Sequence, residues 1–381
     1  MSDRLVVATR KGLFVMHADG AGGWTAGKPE FAGEPVSMVL GDPRDGTLYA
    51  ALNLGHFGVK LHRRRAESEG WEECAVPVYP PQPPDEPRAE PEAQPAPTEA
   101  TDAPRPPPVA WTLQQIWSLE PGGRDEPGVL WAGTIPGGLF RSGDGASSWT
   151  LNRALWDRPE RRGWFGGGYD APGIHSVVVD PRDSRHVTLG ISCGGVWQTA
   201  DGGATWQLSA DGMIADYMPP ELRGDPNTQD PHRVVQCAAA PDVLWTQHHC
   251  AIFRSTDGAA NWHRVEAKPS SFGFAVAAHP RDPDTAWFVP AIKDQYRFPV
   301  DARLVVTRTR DGGRTFESLS AGLPEGPAYD LVYRHGLAVD ATGTRLAMGS
   351  TTGGLWTSAD GGESWHLVSA HLPPIYCVRF G

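Results

Sequence analysis

The chain has 381 residues, with 45 Gly, 36 Pro and 15 Trp, and its 34 basic against 45 acidic residues leave a formal net charge of −11. That charge argues against nucleic acid or an anionic membrane as a partner, because nothing offsets the repulsion of phosphates. Five scattered cysteines give neither a disulfide framework nor a paired zinc motif, no secretory apolar region opens the chain, and no run approaches the ~20 apolar residues of a membrane span, so a cytoplasmic, monomeric protein is expected.

Residues 5–9 form a short β-branched run, followed by Gly12-Leu-Phe-Val and then by the turn Asp19-Gly20, with Trp24 five residues after the Asp. The same Asp-Gly turn and following aromatic recur at Asp144/Trp149, Asp201/Trp206, Asp257/Trp262, Asp311/Phe316 and Asp360/Trp365. The last four intervals between the Asp residues are 57, 56, 54 and 49 residues, the length of one four-stranded propeller blade with its loops. Trp71 lies 47 residues after Trp24 and marks one further unit, over about 36–71, in which Ala66 stands at the Asp position. Residues 77–108 hold 13 prolines in 32 positions and are predicted to be a disordered or polyproline insertion between the second and third units. The remaining units are predicted over 111–149, 174–206, 232–262, 274–316 (with an extended 291–303 connection) and 334–365.

Seven units make a single all-β domain, a seven-bladed β-propeller. The first unit lacks an inner strand ahead of residues 5–9, whereas residues 375–380 come after the last turn with no partner of their own. The C-terminal strand is therefore predicted to pair into the N-terminal blade, closing the ring and removing an open sheet edge. Within each turn the Asp carboxylate can accept backbone N–H groups and Gly supplies a positive φ, so the motif knits a hairpin and performs no chemistry.

The pattern Ser255-Thr-Asp257-Gly258-Ala-Ala-Asn-Trp262 and its copies resemble the Asp-box, or BNR repeat, of the sialidase-like β-propellers. The resemblance covers nearly the whole chain and implies the fold; Asp-box propellers include glycosidases, receptors and assembly factors, so it does not choose a function. Sialidases hold a sugar carboxylate with three arginines, the first in a Phe/Tyr-Arg-Ile-Pro string near the N-terminus. Here the comparable string is Tyr296-Arg297-Phe298-Pro299, late in the chain, so no sialidase catalytic residue is carried over and an exo-sialidase is disfavoured.

In a propeller, the loops entering the inner strands and those joining the second and third strands open on one axial face. His175, His232, Arg334 and His335 fall on the first set, and Arg10, His56, Cys193, His248, His249, Lys293 and Asp294 on the second. Imidazoles gathered there would suit one divalent metal, zinc or another transition ion, with His175, His232, His248 and His249 as ligands. Neighbours on a strand point to opposite sides, so one of His248 and His249 is expected to face the tunnel. His175 and His248 are also candidate acid–base groups, with Glu221 and Asp230 as carboxylates from the long 209–231 connection; the apolar Tyr217-Met-Pro-Pro approach would desolvate Glu221. Arg10, His56, Lys293, Asp294, Arg297, Arg334 and His335 are the candidate ligand-binding residues. The ligand expected at this mouth is a small polar molecule or glycan, acted on by a hydrolase or lyase. Two alternatives are a glycoside hydrolase with paired carboxylates and a non-catalytic scaffold that binds a protein partner.

Overall fold

The structure is a computed structural model that describes residues 3–20, 23–83 and 111–381. Most of the Pro-rich insertion thus lies outside the described residues; its first part, 77–83, includes Tyr79, whose hydroxyl is buried against Thr134 and donates to the carbonyl of Pro136. Seven four-stranded antiparallel sheets form a ring, and the only α-helix among the described residues is Arg153–Trp156. No described helix is long and apolar enough to cross a membrane.

The inner strands are Val36–Gly41, Gln115–Pro121, Ile174–Val179, Pro231–Cys237, Gly273–Ala278, Leu337–Val339 and, in the first blade, Ile375–Phe380. The last of these pairs antiparallel with Arg4–Thr9, matching Leu5 to Phe380 and Val7 to Val378, so the ring closes as its sequence predicts. Alternation of side chains along each strand buries one row against the blade before and the other against the blade after. Trp131, Trp197, Trp245 and Trp287 are among the largest fully buried side chains of these interfaces.

The repeated turn is built as its residues dictate. At Asp144, Asp201, Asp257, Asp311 and Asp360 one carboxylate oxygen accepts the backbone N–H four residues on, and the Ser or Thr two residues before the Asp donates its hydroxyl to the same oxygen. The aromatic residue then reaches the preceding blade: the indole N–H groups of Trp149, Trp206 and Trp262 donate to the Ala75 carbonyl, the Asn152 side chain and the Ser209 carbonyl.

These bonds favour the charged carboxylate, and the partner hydroxyls of Ser148, Thr205 and Thr315 hold Asp144, Asp201 and Asp311 down to about 2. A carboxylate depressed in the folded state stabilises it above the unfolded value of about 3.9 and loses that contribution as the pH falls through the folded value. The stability gap between the wild-type protein and Asp201→Asn is therefore expected to stay constant from pH 7 to about 4 and to shrink between about 4 and 2. Thermal melts of the two proteins across that range check this, and a gap unchanged down to pH 2 would refute it.

Candidate functional site

The inner strands begin irregularly, and this irregularity builds the axial mouth. In five blades the pairing with the second strand slips near the start of the inner strand, between Val36 and Met38, Ile116 and Ser118, Ile174 and Ser176, Pro231 and Arg233, and Gly273 and Val276. A bulge takes a residue out of the ladder and re-aims its side chain. The residues so placed include Trp117, His175, His232 and Phe274, one from each of four successive blades. Trp117 meets His175 edge-on, with ring centroids 5.4 Å apart, and His232 stacks on Phe274 at 4.4 Å with 10° between planes.

Antiparallel pairing of Pro231 with His248 sets Asp230 and His249 side by side just beyond the ends of their strands, and the His249 backbone N–H donates to the Asp230 carbonyl at 2.9 Å. The Asp230 carboxylate is buried. Its Oδ1 accepts the backbone N–H of Cys193 at 3.0 Å and the Ser192 hydroxyl at 3.4 Å, while Oδ2 lies 3.4 Å from His232 Nε2 and 3.3 Å from His249 Nδ1. Burial works against the charge on Asp230, but the imidazoles of His232 and His249 outweigh it and hold the carboxyl well below the usual carboxylate range. His232 is fully buried, which pulls its pKa down, and its Nδ1 is 2.6 Å from the Gly273 carbonyl. A carbonyl only accepts, so Nδ1 carries a proton and Nε2 is the nitrogen turned to Asp230.

Arg334 lies in the loop before Leu337–Val339 with its guanidinium between two rings, 4.6 Å from Trp117 and 5.4 Å from Phe274. It is 6 % exposed, and its Nε and Nη2 have no hydrogen-bond partner. Burial lowers its pKa, opposed chiefly by the Asp230 charge. A guanidinium stays protonated in proteins, so this is a buried cation with two free donors in a fork. The same axial face carries most of the exposed large hydrophobic side chains. Phe57, Tyr169, Tyr217, Tyr296 and Tyr329 are five of the seven such residues described, and all five lie on loops of this face.

The other expected site residues are distributed differently. His175 is buried, with Nδ1 2.9 Å from the Ser176 hydroxyl, and lies outside the cluster of Asp230, His232 and His249. His248 is also buried and outside that cluster: the backbone N–H groups of Asp230 and Cys250 face its two ring nitrogens at 3.1 Å each, and burial drives its pKa to about 3. Of the neighbouring pair, His249 is the residue that faces the mouth. His335 donates from Nε2 to the His175 carbonyl at 2.9 Å and is buried. Glu221 is exposed, because its Pro-rich approach runs over the surface and desolvates nothing. Asp294 and Arg297 pair with each other, and the Arg297 guanidinium lies 5.4 Å from the Phe274 ring. Lys293 sits 5.0 Å over Tyr296, while Arg10 and His56 are exposed at the rim. The bulged aromatics and the exposed tyrosines escape reading from sequence, since a one-residue slip in pairing leaves no mark in residue type.

No family model matches the chain. It is similar to a protein described as a probable oligoxyloglucan-reducing end-specific xyloglucanase from Neosartorya fischeri, with 25 % identity over 285 residues, 67 % of this chain and 32 % of that one. The chain thus spans about a third of the length of that relative. Among solved structures it is similar to an ancestral GH74 enzyme, with a TM-score of 0.57, 16 % identity and coverage of 84 % of this chain and 36 % of that one. It is also similar to YCF48 bound to D1 peptide, with a TM-score of 0.52, 12 % identity and coverage of 94 % of each chain. At these identities the solved structures speak for the propeller fold alone.

Proposed function

We infer that the axial mouth binds an oligosaccharide, as part of a glycoside-hydrolase-like propeller. The observation that carries this reading is the concentration of exposed aromatic rings on the face that also holds a buried guanidinium. The C–H faces of a pyranose are apolar and stack on aromatic rings, while its edge oxygens need donors, and the tyrosines and Arg334 of this face offer both. Similarity to a xyloglucanase-type protein supports the same class of ligand. Arg334 is the polar anchor in this reading: its free fork matches two acceptor oxygens, and a sugar carboxylate suits it best. Tyr217 and Tyr329 are stacking platforms.

Calorimetric titration of the full chain with xyloglucan oligosaccharides, cello-oligosaccharides and uronate oligomers tests this. Binding to at least one series is expected, weakened by about 3- to 10-fold in Tyr329→Ala and in Tyr217→Ala, in line with about 0.5–1.5 kcal/mol per aromatic contact. Absence of binding to all three series, or unchanged affinity in both variants, would overturn the reading.

A further inference from the structure

We propose that Asp230, His232 and His249 hold one divalent transition-metal ion of the Zn2+ or Fe2+ type, through Oδ2, Nε2 and Nδ1 respectively. Because Nδ1 donates to the Gly273 carbonyl, Nε2 is the ring nitrogen left to meet an ion; this atom is buried and points at the Asp230 carboxylate, 3.4 Å from Oδ2. His249 Nδ1 lies 3.3 Å from the same oxygen. Three potential ligand atoms thus converge in a place that water reaches poorly, and a divalent cation that displaces any ring proton between them is what such a set accommodates.

The spacing has a more specific meaning. All three atoms lie within 4.8 Å of one another, and the two edges at Oδ2 measure 3.4 and 3.3 Å. Four ligands at about 2.0–2.1 Å around a tetrahedral ion stand about 3.3–3.4 Å apart. Two imidazoles and one carboxylate are the donor set of both zinc and non-haem ferrous sites.

Outer partners complete the arrangement. The Gly273 carbonyl orients His232, and the Cys193 N–H and Ser192 hydroxyl occupy the other oxygen of Asp230, which leaves Oδ2 for the ion. Gly167 keeps the flank clear: a Cβ there would lie 2.7 Å from both Cys193 Sγ and Ser192 Oγ and 3.1 Å from Asp230 Oδ2. Three protein ligands leave a coordination position for an oxygen from outside, and His249, whose side chain is 24 % exposed, borders the mouth.

The test is metal binding by the full chain without a polyhistidine tag and without any sugar, so its failure is separate from failure of the saccharide reading. After chelator treatment, Zn2+ is titrated against a competing chelator, and the visible absorption of added Co2+ is recorded. One equivalent of Zn2+ per chain and tetrahedral Co2+ bands are expected. His249→Ala, on a partly exposed ring beyond the strand end, is expected to keep the fold, lose the Co2+ bands and weaken Zn2+ binding by more than about 100-fold, since even outer partners of metal ligands cost 10–100-fold. The exposed His371→Ala is expected to bind like wild type. A folded wild-type chain that retains none of Zn2+, Co2+ and Fe2+, or a His249→Ala protein with unchanged affinity, would overturn the proposal.

Discussion

Replacing Arg334 by methionine is expected to weaken saccharide binding at the mouth by about 30-fold or more and at the same time to raise the melting temperature. The two effects have one origin. A guanidinium that is 6 % exposed with two unpartnered N–H groups has lost its hydration without gaining a matching set of hydrogen bonds. Its neighbours Trp117 and Phe274 return part of that cost, at about 2 kcal/mol or more for a desolvated cation–π contact. Exchanging buried ionic groups for apolar ones of similar volume is often neutral or stabilising by about 1–4 kcal/mol, and methionine fits a slot between two rings. We expect a net gain of about 1–2 kcal/mol at the lower end of that range. Binding moves the other way. Truncating one partner of a buried charged pair costs about 2–5 kcal/mol, so affinity for the preferred saccharide should fall by about 30-fold or more. Arg334→Lys restores the charge but not the planar fork and should recover little affinity. Thermal melts and calorimetry on the same samples decide the matter. A destabilised Arg334→Met protein, or one that binds as wild type, would remove Arg334 from the anchor role.

Such a trade of stability against ligand is invisible in residue type alone, whereas the architecture was almost wholly legible. The Asp-Gly turn spells out its own hydrogen bonds, so a repeat of it at blade spacing predicts the number of blades, and the unmatched strand at 375–380 predicts the closure. Topology puts the loops of Asp230, His232 and His249 on one side. Read from sequence, however, the metal ligands are His175, His232, His248 and His249 with Asp230 a separate acid–base carboxylate, whereas the set that meets is Asp230, His232 and His249. What was not legible is the aim of individual side chains. His175 and His232 open their inner strands in the same bulged position, yet His175 finds the Ser176 hydroxyl and the edge of Trp117, while His232 finds the Gly273 carbonyl and turns its other nitrogen to Asp230. His248 was expected to share the site, but two backbone N–H groups claim its ring. Glu221 looked desolvated because Pro219 and Pro220 precede it. Prolines stiffen a loop without burying the next side chain, and Glu221 stands in solvent.

Ending the chain at Pro374 is expected to leave no folded propeller, the largest effect of any change considered. The strand removed, Ile375–Phe380, is the inner strand of the first blade, and Ile375, Cys377 and Val378 are each at most 1 % exposed. Burial of Ile375 and Val378 alone stabilises by about 3–6 kcal/mol, against a total stability for a typical domain of about 5–15 kcal/mol. The ladder to Arg4–Thr9 goes with it, as does the Arg379 guanidinium that pairs with Glu120 across the tunnel. That pair is partly buried, so its loss adds a smaller cost that solvent screens. Together with the lost ladder these losses take most of the stability available. The exposed edge would be Leu5-Val-Val-Ala8, an apolar strand with free backbone groups, which favours aggregation over a soluble open ring. Size-exclusion chromatography and circular dichroism of residues 1–374 check this, and a soluble chain that unfolds cooperatively would refute it. A synthetic peptide of residues 374–381 added during refolding is expected to restore a native-like product by strand addition, because the missing partner is an extended segment with defined register. The same peptide carrying Val378→Asp should fail, since it would place an unpaired carboxylate where the ring is fully buried.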